Sequence, residues 1–128
     1  MAHADVIICA TGAKGILPPS LIRPGQIVFA LSNPEAEIDP TAALDAGAAI
    51  AADGKSINNV LCFPGLFDAV LRKRAHAFTD VMLLAAAQVL ATSAPKGQLL
   101  PDPLDREIHT AVSLAVQAAI LPPNSSAD

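Results

Sequence analysis

A short apolar run ends in a polar turn in the stretch IVFALSNP, residues 27–34. A similar run, DVIICATG, occupies residues 5–12, and both are rich in branched aliphatic side chains. Short runs that are apolar on both faces and end at a turn are typical of buried strands in a parallel sheet. Residues 48–52 form a third candidate strand, weaker because Ala disfavours sheets. The sequence therefore predicts about three parallel strands.

Helix signals separate these strands and fill the second half of the chain. Asp39 followed by Pro40 predicts a helix start, with Gly47 as its stop. The remaining helical segments are predicted at residues 18–22 (one turn), 64–77, 79–90 with Thr79 as cap, and from Asp102-Pro103 onward with Leu104, Ile108 and Val112 on one face. Alternation of strands and helices is typical of right-handed βαβ units. The predicted fold class is α/β with a helical C-terminal half.

Composition narrows the classes of protein to consider. The 128 residues are 52% hydrophobic and 3% aromatic, which suits one domain with a single core of small aliphatic side chains. The net charge is −4 and basic residues cluster only at 72–74, so we expect no nucleic-acid partner. Cys9 and Cys62 lack metal-ligand or disulfide spacing, and no leader or long apolar segment stands out. We expect a cytoplasmic protein without membrane contact.

Small or polar residues follow each candidate strand. Thr11 and Gly12 come after the first strand, Asn33 after the second, and the loop after the third leads to Asn58 and Asn59. Ligands of open parallel sheets bind outside the carboxyl ends of the strands. A carboxamide there can donate and accept hydrogen bonds without adding charge, so these five residues form the candidate site. The alternative is structural: Asn33 closes a turn before proline, and Asn59 caps the next helix.

Six segments carry a family resemblance, at residues 5–8, 15–19, 27–38, 57–67, 82–87 and 101–105. Together they resemble the later part of the cofactor-binding domain of bacterial malic enzymes, with Asn33 and the pair Asn58-Asn59 in the family's order. The resemblance implies a partial Rossmann-like domain over residues 1–121. Independently of the resemblance, the two Pro and two Ser among the last eight residues predict a flexible tail at 122–128.

The same resemblance implies a reaction and roles for the candidate residues. Malic enzymes oxidatively decarboxylate malate to pyruvate and CO2, passing a hydride to NAD or NADP with the help of a divalent Mg or Mn ion. The resemblance implies that Asn33, Asn58 and Asn59 contact malate, and that Asn33 and Asn59 also contact the nicotinamide end of the cofactor. Thr11 and Gly12, at the neighbouring strand end, are expected to line the cofactor.

The chain departs from the family in three ways. It has no Tyr, it lacks the phosphate-binding pattern GxGxxG, and its loop from Gly54 to Asn58 is several residues shorter. The resemblance implies that the catalytic Tyr and Lys, the metal ligands and the Gly-rich loop belong to sequence before Met1. We therefore expect no catalytic or metal-binding residue here and no activity from this chain alone.

Several alternatives stay open. Without its neighbouring strand, the first strand is expected to need self-association or the missing N-terminal half. The preference between NAD and NADP is not set by these residues. Rival interpretations are a noncatalytic binding or assembly module derived from a Rossmann domain, and half of another NAD(P)-dependent dehydrogenase.

Overall fold

The computed structural model describes residues 3–57 and 59–120. Its strands form one parallel sheet in the order β1-β2-β3, in which Val6 pairs with Ile27 and Ile27 with Ile50. The strands are β1 (Val6–Cys9), β2 (Ile27–Ala30) and β3 (Ile50–Asp53). The predicted parallel sheet is confirmed, but β3 begins two residues late. The Ala48 N–H still bonds to Ala43 O (3.0 Å), at the end of the preceding helix.

Short helical segments connect these strands. A 3-10 turn at Pro19–Leu21 lies between β1 and β2, and helix α1 (Pro40–Asp45) lies between β2 and β3. The Asp39 side chain accepts from Thr41 N (2.8 Å) and so satisfies an N-terminal amide that the helix itself cannot bond. The start predicted from Asp39-Pro40 is therefore confirmed.

The C-terminal half is helical, as predicted, with α2 (Phe63–Lys73), α3 (Asp80–Ser93) and α4 (Arg106–Ala119). Helix α2 ends before residue 77 because Arg74 adopts a left-handed conformation with φ 52°. Thr79 caps α3 through Met82 N (3.4 Å), as expected, although α3 runs on to Ser93 rather than to residue 90.

The predicted start of α4 at Asp102-Pro103 is wrong. The Asp102 carboxylate closes a separate turn on Leu104 N (2.9 Å), and Asp105 caps the helix through Glu107 N (2.8 Å). Leu104, expected on the apolar face, is consequently 80% exposed, whereas Val112 is fully buried.

The apolar side chains are buried in two clusters rather than in the single core expected from the chain length. The described residues form two compact units, 3–57 and 59–120, each with its own cluster. The tail predicted at residues 122–128 lies outside the described residues. The first cluster lies between the sheet and its connecting segments, and includes Ile7, Val28, Ile38 and Ala43. The second lies among α2, α3 and α4, and includes Leu66, Met82, Leu90 and Val112. No helix within the described ranges is long and apolar enough to cross a membrane.

Candidate functional site

The carboxyl ends of the three strands lie side by side. Beyond the strands themselves, Leu31 N bonds to Cys9 O (2.8 Å) and Gly54 N bonds to Ala30 O (3.2 Å). The loops that follow therefore start from one edge of the sheet. Thr11, Gly12 and Asn33 are found at this edge, which is the position that the sequence predicts for them.

The other two predicted residues cannot be placed at this edge. Asn58 lies outside the described residues. Asn59 begins a 3-10 helix, Asn59–Leu61, in the second unit. The structure describes the backbone of Asn59 but not its side chain. The expected contacts of both residues remain predictions.

The Asn33 side chain reaches across to the end of the neighbouring strand. Its Nδ2 donates to Gly54 O at 3.3 Å, and the peptide bond to Pro34 is cis. The side-chain bond that the structure gives Asn33 is thus with the next strand end, 21 residues along the chain, rather than within the turn at Pro34. Because a carbonyl oxygen can only accept, the nitrogen must face Gly54, and Oδ1 remains as an acceptor. Among the groups that the structure describes, which do not include the side chain of Asn59, none donates to that oxygen.

Gly54 is a site residue that sequence reasoning missed. A Cβ at this position would lie 2.4 Å from Leu31 O and 2.8 Å from Asn33 Nδ2, closer than real contacts of this kind. Only a residue without a side chain therefore permits the Asn33 contact. The available signal was a glycine directly after a strand, which often marks close backbone approach.

Glu37 is the second residue that sequence reasoning missed. Its carboxylate is fully buried, with 0% exposure, and its Oε1 accepts from Thr11 N (2.6 Å), Thr11 Oγ1 (2.9 Å) and Ser32 Oγ (2.6 Å). Ser32 N lies 3.3 Å from Oε2, and Ser32 Oγ accepts from Gly12 N at 2.8 Å. This network joins the loop after β1 to the loop after β2.

The electrostatics of Glu37 follow from these bonds. Burial alone raises the pKa of a carboxyl group, since it disfavours the charged form. The hydrogen bonds from Ser32 and Thr11 outweigh burial and lower the pKa of Glu37 to about 2. At neutral pH the side chain is therefore an anion that acts only as an acceptor.

A pocket of about 260 Å³ adjoins Asn33 and is bordered by charged loop residues of both signs. Lys14 Nζ pairs with Glu35 Oε1 (2.5 Å) at its exposed rim. The Ser56 hydroxyl, which donates to Asp53 Oδ1 at 2.6 Å, holds the pKa of Asp53 below its usual range despite partial burial. Such a pocket can bind and orient a polar ligand. In the part of the chain that the structure describes, no group of three His, Cys, Asp or Glu residues could hold a metal ion.

A second polar cluster lies between α2 and α4. Asp68 accepts from Ser113 Oγ (2.6 Å) and pairs with Arg72 Nε (2.8 Å), while Gln117 Nε2 donates to Ser113 Oγ (2.9 Å). These groups satisfy one another, which indicates a role in holding the two helices together.

Comparison with known proteins relates this chain to one protein family. Residues 50–121 match the family model described as "Malic enzyme, NAD binding domain". The chain is 47% identical over 121 residues to NAD-dependent malic enzyme 1 of Bacillus subtilis, covering 94% of this chain and 28% of that protein.

Solved structures agree with the sequence comparison. A malic enzyme from Pyrococcus horikoshii superposes with TM-score 0.80 and 36% identity, covering 90% of this chain and 29% of that one. An NAD-dependent malic enzyme from Thermotoga maritima gives 0.79 and 36%, covering 89% and 32%. The sheet and its flanking helices are thus those of part of a Rossmann-like domain, and the chain spans under a third of each of these relatives. From the family model, the sequence identity and the shared fold together, the chain belongs to the malic enzyme family and contains part of its NAD-binding domain.

Proposed function

We propose that this chain carries the part of an NAD(P)-dependent malic enzyme site that contacts the nicotinamide and malate. The observation that carries the proposal is the Asn33 carboxamide, held by Gly54 O at the carboxyl edge of the sheet with Oδ1 left to accept. In a member of this family, that edge is where a dinucleotide is expected. The complete reaction is the oxidative decarboxylation of malate to pyruvate and CO2.

The residues at this edge fit a nicotinamide group. A nicotinamide carboxamide has an NH2 donor that suits Asn33 Oδ1, and the missing side chain of Gly12, where a Cβ would meet nothing within 4 Å, leaves room for a flat ring to approach the backbone. The bound cofactor supplies the hydride acceptor. NAD is the cofactor named for both the family model and the Bacillus subtilis relative.

The N–H groups of Thr11 and Gly12 are already hydrogen-bonded within the chain, which limits how these residues can contact a cofactor. The Thr11 N–H and hydroxyl both donate to Glu37, and the Gly12 N–H donates to Ser32. We therefore propose that these two residues line the cofactor by shape and packing rather than by their N–H groups. Asn58 and Asn59 remain the proposed contacts to malate, and Asn59 also to the cofactor.

Other requirements of the reaction are proposed to be met outside this segment. We propose that the residues that bind the divalent Mg or Mn ion and the groups that transfer protons belong to the rest of the malic enzyme. The free thiols of Cys9 and Cys62 are consistent with a reducing compartment, and we propose the cytoplasm.

We also propose that another polypeptide segment covers the second face of the sheet. Val6, Ile8 and Ile50 lie on the face opposite the first apolar cluster and are 46%, 64% and 37% exposed. Parallel sheets are normally covered on both faces. A second copy of this chain or the remainder of a malic enzyme would cover these side chains, and the former agrees with the rival interpretation of an assembly module.

An NAD⁺ titration followed by two-dimensional amide NMR tests the site. We expect weak binding, with a dissociation constant of about 1 mM or above, because the chain has no GxGxxG phosphate cradle. The signals of the Asn33 carboxamide and the Gly12 amide should shift, and Asn33→Ala should weaken binding. Gln98→Ala, which removes an exposed carboxamide in the second unit, is the control. Shifts confined to other residues would contradict the proposed site.

A further inference from the structure

We propose that Glu37 is the positioning residue of this site: its buried carboxylate holds the loops after β1 and β2 at the separation that cofactor binding requires. The inference rests on the proposed function, because it concerns Thr11, Gly12 and Asn33 as ligand-facing residues. It assigns Glu37 no contact with the ligand itself.

The network is built around one atom. Glu37 Oε1 accepts from the amide and hydroxyl of Thr11, which lies 26 residues earlier, and from the hydroxyl of Ser32. The Ser32 hydroxyl in turn accepts from Gly12 N at 2.8 Å. A single anion therefore fixes the peptide planes of both Thr11 and Gly12 against the residue that precedes Asn33.

An anion is better suited to this task than a neutral side chain. A carboxylate oxygen can accept several hydrogen bonds at once, and bonds to a charged acceptor are shorter and stronger than neutral ones. The three shorter bonds to Glu37 measure 2.6–2.9 Å.

The location of the charge favours a role in the site over a role in the core. Burying a carboxylate is costly, and a well-packed apolar residue often stabilises a fold as well or better. Glu37 is buried beneath the two loops at the carboxyl edge of the sheet, where those loops carry the proposed ligand contacts. An exposed neighbour, Glu35, bears the same charge on the same loop but pairs with Lys14 at the rim.

The test compares the whole chain with Glu37→Gln, with Glu35→Gln as the matched control for charge and Val28→Ala as a control for lost stability. Val28 is buried in β2, and its aliphatic side chain makes none of the hydrogen bonds of the network. The first measurement is hydrogen exchange of the Thr11, Gly12 and Leu31 amides without ligand. Glu37→Gln should speed exchange at Thr11 and Gly12 by about tenfold or more, the scale of a lost bond to a charged group, and leave Leu31 unchanged. Glu35→Gln should change none of the three.

The second measurement is the NAD⁺ dissociation constant, taken from the Gly12 and Asn33 signals. Glu37→Gln should raise it about fivefold or more, while Val28→Ala should leave it within about twofold at a temperature where both are folded. Unchanged exchange at Thr11 and Gly12 would overturn the inference. Faster exchange with unchanged NAD⁺ affinity would also overturn it, since Glu37 would then be structural only.

A second variant and the NAD⁺ titration of the unmodified chain distinguish failure of this inference from misfolding and from failure of the proposed function. If Glu37→Gln does not fold, Ser32→Ala breaks the same network with Glu37 in place. Amide exchange should then become faster at Gly12 and stay slow at Thr11. Equal exchange rates at the two amides would overturn the inference. If NAD⁺ shifts neither Gly12 nor Asn33 in the unmodified chain, the proposed function fails. The exchange data then decide by themselves whether Glu37 holds the loops.

Discussion

Gly54 lies where the backbone after β3 passes close to the end of β2. We predict that Gly54→Ala destabilises the first unit by about 1–3 kcal/mol, because the added methyl must displace Leu31 O or the Asn33 carboxamide. Gly15→Ala is the comparison: its φ of 64° makes Ala strained by about 1 kcal/mol, but nothing lies within 4 Å of the new methyl. Urea unfolding gives the free energies, and the Asn33 side-chain NMR signals report displacement. An Asn33 environment that is unchanged in Gly54→Ala would contradict the close approach.

The carboxyl group of Glu37 makes stability depend on pH. Its pKa is about 2 in the folded chain and 4.5 ordinarily, so the unfolded chain binds the proton more readily. The stabilisation is complete above pH 4.5 and is lost as the pH falls through 2. We predict that the free energy of unfolding falls more steeply between these pH values in the unmodified chain than in Glu37→Gln, in which this group is absent. Parallel pH curves for the two proteins would show that Glu37 titrates normally.

The position of Asn33 at the carboxyl edge of the sheet could be predicted from sequence, whereas the burial of Glu37 could not. The signals for Asn33 are local: an apolar run, a turn and a carboxamide in consecutive positions. Glu37 stands in the acidic stretch PEAEID, which resembles a solvated loop. Its burial depends on Thr11, a partner 26 residues away, and no local pattern encodes that partner.

At the level of the helices, two of the three predicted caps are confirmed. Asp39 caps α1, and Thr79 caps α3 although Asp80 beside it is also a residue type that caps helices. Before α4, Asp102 and Asp105 compete, and the Pro after Asp102 favoured the wrong one. The structure shows that Asp105 caps α4, whereas the Asp102 carboxylate closes a separate turn three residues earlier.

Two substitutions test this assignment. We predict that Asp105→Ala destabilises the second unit by about 1 kcal/mol, the usual cost of losing an N-cap, and that Asp102→Ala costs less than half as much. Thermal unfolding monitored by circular dichroism provides the comparison. The reverse ranking would move the start of α4 back to Asp102.

At the level of the whole chain, the class of fold was predictable but the number of apolar clusters was not. Run length and β-branched content indicate a parallel sheet, and helix periodicity indicates the second half. Composition sets how much apolar surface can be buried, but it does not say how that surface is divided. The residues after Asp53 lead from one cluster to the other without any long Gly- or Pro-rich linker to signal the change.

The exposed sheet face gives a prediction about association. We expect the chain to self-associate, measured by size-exclusion chromatography with light scattering over a dilution series, and Ile8→Lys to reduce association by charging that face. Ile7 is unsuitable for this test because its side chain is buried in the first cluster. Leu104→Lys, at a residue 80% exposed in the second unit, is the control. A monomer at all concentrations in the unmodified chain would show that this face is not a self-association surface.

The central claim is that this chain supplies ligand contacts of a malic enzyme, and a chimera measures it most directly. The matching segment of NAD-dependent malic enzyme 1 of Bacillus subtilis is replaced by this chain, and malate-dependent reduction of NAD is assayed with Mn²⁺. The 128-residue chain alone should show no turnover, whereas the chimera should be active. Asn33→Ala and Asn59→Ala in the chimera should each lower kcat/KM by about 10- to 1000-fold with little change in melting temperature, and Gln98→Ala should leave it unchanged. An active chimera in which both Asn variants keep normal kcat/KM would contradict the claim.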